Sequence, residues 1–173
     1  MTPILWRRGR ADDAAALSIL GGATFLTAFA HDHPGRALID HIRAAHGEDY
    51  YRALLADPAQ SVIIGETPLG APVAYAVISP PDLPVPVDPL TDIELKRIYL
   101  LSGWQGGGHG DALMEQVADV ARAAGGKRLL LAVYTANDRA RRFYARHGFA
   151  EIGETIFMVG DAPFRDLVYA RPL

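Results

Sequence analysis

The chain has 173 residues, 50% of them hydrophobic, which supports one folded domain over residues 1–173 with a sizeable core. Seventeen Lys and Arg against 20 Asp and Glu leave a net charge of -3, so no long-range attraction to nucleic acid is expected. The absence of cysteine excludes disulfides, thiolate nucleophiles and cysteine-bound metal, and no apolar run reaches the roughly 18 to 20 residues of a membrane span, so a cytoplasmic protein without a membrane partner is the expectation.

Residues 4–10 read as an opening strand, and Asp12 or Asp13 is placed to cap a helix carrying Ala16, Leu17, Leu20 and Phe25. Gly21-Gly22 is expected to break that helix. Leu38, Ile42 and Ala45, then Tyr51, Leu54 and Leu55, recur at helical spacing around an interruption at Gly47, which predicts two short helices. Ser61 to Glu66 and Pro72 to Ser79 are β-rich runs joined by a turn, an antiparallel hairpin. Pro80, Pro81, Pro84, Pro86 and Pro89 then crowd a segment that cannot donate regularly to a sheet, so an extended surface loop follows.

The second half reads as a strand (93–101), a glycine-rich loop, an amphipathic helix (111–124), an apolar strand (128–133), a helix (138–147) and two final strands. A strand-helix-strand crossover is right-handed and requires parallel strands. With the antiparallel hairpin of the first half, the expected fold class is α/β of the mixed kind, a mostly antiparallel sheet that contains this parallel pair and has helices on both faces.

Gln105-Gly106-Gly107-Gly108-His109-Gly110-Asp111 lies between a strand and a helix start. Glycines let backbone approach a ligand, and a helix N-terminus offers unpaired amides, so the loop suits a pyrophosphate; a tight turn is the alternative. It is not a dinucleotide fingerprint, because it follows a late strand with different spacing, and it lacks the Gly-Lys-Ser/Thr ending of a P-loop.

Gln105-x-x-Gly108-x-Gly110 resembles the CoA-binding signature of the GCN5-related N-acetyltransferase (GNAT) family, Arg/Gln-x-x-Gly-x-Gly/Ala. The resemblance continues in Asn137 to Tyr144 followed by His147-Gly148-Phe149, which is similar to the family's second signature. Gly107 and His109 depart from its usual residues. The resemblance implies acetyl-CoA as co-substrate, a splayed pair of parallel strands as its cleft, pantetheine along the backbone of Ile98, Tyr99 and Leu100, and pyrophosphate on residues 105–111. It also implies a small-molecule amine acceptor, with a homodimer left open. Thr24-Phe25, Ala28-Phe29 and the run Glu94 to Tyr99 look like the bacterial polyamine-acetylating subgroup. Transfer to peptide N-termini and non-catalytic CoA binding are the competing readings.

Amine acetylation needs a base for the amine, a donor for the oxyanion and a proton for the leaving thiolate. Strand parity puts Glu94 on one side with Lys96, Ile98 and Leu100. The resemblance implies that Glu94 is the base; a solvated surface charge is the alternative. Tyr144, seven residues from Asn137 and so about two helical turns away, resembles the family's proton-donating tyrosine; a core aromatic is the alternative. The resemblance also places Asn137 and Tyr144 among the cofactor-binding residues, and Asn137 is suited to cap its helix as well. His31, His33, His41 and His46 lack the spacing of three or four that a helical metal site needs, so no metal is expected, and they read as surface or substrate-pocket residues. Asp40, Glu48, Asp49, Asp82, Asp88 and Asp92 are the acids that could form a polyamine pocket.

Overall fold

The computed structural model describes residues 3–173. Seven strands form one sheet in the order β1-β2-β3-β4-β5-β7-β6: β1 (Leu5–Arg8), β2 (Ser61–Glu66), β3 (Pro72–Ser79), β4 (Asp92–Leu100), β5 (Arg128–Tyr134), β6 (Ala150–Val159) and β7 (Ala162–Pro172). Every neighbouring pair is antiparallel except β4 and β5. Five helices flank it: α1 (Ala14–Phe29), α2 (Gly35–Ala45), α3 (Glu48–Ala56), α4 (His109–Ala123) and α5 (Asp138–Arg146). Among the described residues no helix is long and apolar enough to cross a membrane.

The alternation of side chains along each strand divides the core in two. Ile63, Ala74, Ala76 and Ile78 meet Leu113, Met114 and Val117 of α4 on one face. Val62, Ile64, Tyr75 and Val77 meet Leu17 and Leu20 of α1 and Tyr51 and Leu54 of α3 on the other.

The pair Gly21-Gly22 does not end α1, which runs through both. A Cβ on Gly21 would lie 2.4 Å from the Tyr51 hydroxyl and 2.5 Å from His46 Nδ1, so close packing under the helix requires glycine there. Asp13 does not cap α1 with its side chain; its carboxylate accepts two bonds from Arg7 at 2.7 Å and the Arg10 amide at 2.7 Å. The hairpin, the two short helices and the proline loop lie where the sequence places them.

Two features of β4 shape the molecule's cleft. Its parallel pairing with β5 covers only Asp92 with Arg128, Ile93 with Leu129 and Glu94 with Leu130, after which the strands diverge. The β4 edge from Leu95 to Leu100 thus has no strand partner on that side, although β3 still pairs with its other edge. The second feature is a bulge: Val77 pairs with Arg97 but Ile78 with Leu95, which leaves Lys96 as the extra residue. One inserted residue reverses the parity beyond it. Leu95, Ile98 and Leu100 therefore join the α4 face, whereas Glu94, opposite Ser79, shares the α1–α3 face with Arg97 and Tyr99. This corrects the simple alternation that grouped Glu94 with Lys96, Ile98 and Leu100.

Candidate active site

The diverging strands open a cleft of about 650 Å³, with the glycine loop at one end and aromatic side chains of α1, β5, β6 and β7 at the other. Gly106, Gly107 and Gly108 all have left-handed backbone, with φ of 98°, 59° and 82°, a run that side-chain-bearing residues would adopt only with strain. This turn delivers the chain into α4, and the amides of Gly106, Gly107, Gly108, Gly110 and Asp111 have no backbone acceptor among the described residues. Such amides at a positive helix end hold anions. Gly106, Gly108, Gly110 and Asp111 line the cleft. Gly107 and His109 do not; the His109 ring lies 6.0 Å from that of Trp104, and its amide donates to Gly106 O at 3.3 Å.

Gln105 works as a brace. Its Nε2 donates to Leu100 O at 3.0 Å and its Oε1 accepts from Arg139 at 2.5 Å, which ties the loop to the end of β4 and to α5. Asn137 caps α5, its Oδ1 accepting the Ala140 amide at 3.1 Å, and it also lines the cleft.

Glu94 is 5% exposed and so is no solvated surface charge. Its Oε2 accepts the Asp82 backbone amide at 2.7 Å, a bond supplied by the proline loop. Desolvation raises its pKa above the ordinary glutamate range, although that amide and Lys96 pull the other way. Tyr144 is 8% exposed, packs among Phe143 and Phe149, and lines the cleft. Burial, with a smaller contribution from Tyr99, raises its pKa, so the hydroxyl stays protonated at neutral pH. Core packing and cleft exposure coexist in this residue.

Of the four histidines, His33, His41 and His46 line the cleft and His31 is exposed. Burial lowers the pKa of His41 and brings that of His46 to about 3, so both are neutral at physiological pH. The acids expected to form a pocket mostly do not. Asp92 is buried against Arg128, while Glu48 and Asp49 pair with Arg52 and Asp40 with Arg36 on the surface; of the six only Asp82 reaches the cleft. The carboxylate missed by sequence reasoning is Asp166 of β7, buried in the cleft wall with no partner for its Oδ1 among the described residues. A signal existed: by strand parity it shares a face with the apolar residues Phe164, Val168 and Ala170.

With this geometry in view, the acetyltransferase (GNAT) family profile matches residues 25–149. The chain belongs to the GNAT family of acetyltransferases. An uncharacterized N-acetyltransferase of Mycobacterium tuberculosis is 32% identical over 165 residues, covering 93% of this chain and 98% of the relative. Among solved structures, the PaiA N-acetyltransferase of Thermoplasma acidophilum in complex with coenzyme A has a TM-score of 0.76 at 12% identity, covering 99% of each chain. The ribosomal-protein-S18-alanine N-acetyltransferase of Escherichia coli has a TM-score of 0.69 at 20% identity, covering 98% of this chain and 94% of that one. At such identities these likenesses concern the fold. As a GNAT protein the chain is an N-acetyltransferase, and acetyl-CoA is the co-substrate of its family.

Proposed function

We propose that this enzyme transfers the acetyl group of acetyl-CoA to a primary amine of a small, polyamine-like molecule. The observation that carries the reading is the run of left-handed glycines, whose unpaired amides stand at the head of α4 beside the cleft. These amides fit a pyrophosphate, and the free β4 edge at Ile98, Tyr99 and Leu100 fits the amide groups of a pantetheine arm. Acetyl-CoA supplies the thioester. Glu94 takes the proton from the acceptor nitrogen: its raised pKa brings it nearer to working pH, and Asp82 fixes its orientation. Tyr144 holds a proton for the departing thiolate.

A small acceptor is favoured over a peptide because the proline loop walls the cleft with Asp82 and Leu83 and is bonded there to Glu94, which narrows the approach to the base. The test is to follow CoA release with polyamines, amino acids, aminoglycosides and short peptides as acceptors. Turnover with polyamines above all others supports the proposal. Turnover with peptides alone overturns the choice of acceptor, and turnover with no amine overturns the activity.

A further inference from the structure

The chemistry just described leaves Asp166 without a role. In the sheet register it lies opposite Tyr134 of β5, so both side chains leave on one face, and Phe164, two residues earlier, shares it. All three line the cleft. The Phe164 ring is edge-on to Tyr134 at 5.6 Å between centres and stacks on His33 at 3.7 Å.

Asp166 differs from the other buried acids. Asp13 is held by Arg7, Asp92 by Arg128 and Glu94 by the Asp82 amide, whereas Asp166 is 7% exposed and has no ion pair and no partner for its Oδ1 among the described residues. Arg97, the cation deepest in the cleft, is held elsewhere, 3.2 Å from the Tyr51 hydroxyl and 4.6 Å from the centre of the Tyr50 ring. A desolvated carboxylate without a partner is costly, and a cation entering the cleft offsets that cost. Flanking aromatic rings attract the same kind of ligand.

The counter-ion that Asp166 lacks calls for a nitrogen other than the reacting one. The attacking amine must lose its proton, so it cannot remain a counter-ion through turnover; a second nitrogen can. We infer that Asp166, with the rings of Tyr134 and Phe164, forms a subsite for a second ammonium group of the acceptor, which selects diamines and longer polyamines over monoamines and amino acids. This rests on the acyl-transfer reading with Glu94 as base.

The test compares 1,3-diaminopropane through 1,6-diaminohexane with the n-alkylamine of matching chain length, in the parent and in Asp166→Asn. Acetyl transfer is measured by kinetics, and binding to the CoA-loaded protein by calorimetry. The parent should favour the best diamine by at least tenfold in kcat/KM and in affinity. Asp166→Asn should remove that preference while leaving the alkylamine values and the acetyl-CoA KM within about twofold. A parent with no diamine preference overturns the inference without any variant being made. Equal losses for diamine and monoamine in Asp166→Asn also overturn it, since the carboxylate would then serve the reacting nitrogen. If no amine is acetylated but diamine binding is still lost in Asp166→Asn, the subsite stands and the proposed activity falls.

Discussion

The backbone amide of Asp82 donates to the Glu94 carboxylate at 2.7 Å, joining the proline loop to the strand at the point where β4 and β5 part. One carboxylate oxygen is thereby oriented and stabilised in its charged form, while burial acts in the opposite sense and prevails. The acid limb of the kcat/KM profile should therefore lie above the ordinary glutamate range. Glu94→Gln should abolish that limb and lower kcat by about 10²-fold or more. An unchanged limb in the variant would move the base to another group, with Asp166 the next carboxylate to test.

Tyr144→Phe keeps the ring among Phe143 and Phe149 and removes only the hydroxyl, for which the chain supplies no hydrogen bond among the described residues. Stability should change by less than about 1 kcal/mol, because no intramolecular bond is lost. Turnover should fall by about 10²-fold with acetyl-CoA affinity retained, the pattern of a group that acts in the transition state. Single-turnover rates with a good acceptor check this. A rate equal to the parent's would leave Tyr144 a core residue.

A Cβ at Gly110 would stand 3.3 Å from the Phe143 ring, so the start of α4 is already tight against α5. Gly110→Glu adds bulk and a negative charge beside the unpaired amides of the glycine loop, where both oppose a pyrophosphate. CoA binding measured by calorimetry should be lost, with the far-ultraviolet circular dichroism of the parent retained. Parent-like affinity in the folded variant would move the phosphate site elsewhere.

The glycine loop and the Asn137–Tyr144 helix were legible because their chemistry is local: positive φ, a helix start and a side-chain cap are all set within a few residues. The hairpin and the order of the elements followed from periodicity for the same reason. What escaped depends on neighbours distant in sequence. Gly21 reads as a helix breaker until Tyr51 and His46 are packed beneath it. Parity along β4 holds until the pairing with β3 inserts Lys96 as a bulge, which a single strand's sequence does not announce. Asp166 carries no motif, and its lack of a partner is a property of the assembled wall to which β5, β7 and α1 all contribute.

That lack of a partner has a thermodynamic consequence independent of catalysis. Burial pushes the Asp166 carboxyl up to about 6 from the ordinary 3.8, so the folded chain binds this proton more tightly than the unfolded chain does. Linkage then fixes the sign: between about pH 4 and pH 6 this residue makes stability fall as pH rises, and above pH 6 the whole penalty remains. A shift of about two units corresponds to about 3 kcal/mol, an upper bound for a group that can still reach water through the cleft. Asp166→Asn removes the charge at nearly constant shape. Urea unfolding should show the variant more stable than the parent by about 1 to 3 kcal/mol at pH 7.5, with the difference shrinking toward zero near pH 4. Glu94 titrates in both proteins and cancels in the comparison. Saturating diamine should narrow the gap at pH 7.5, since a ligand that binds only the parent stabilises only the parent. A variant less stable than the parent at pH 7.5 without ligand would mean that the carboxylate already has a favourable partner in the folded chain, and the case for a vacant ammonium subsite would fall with it.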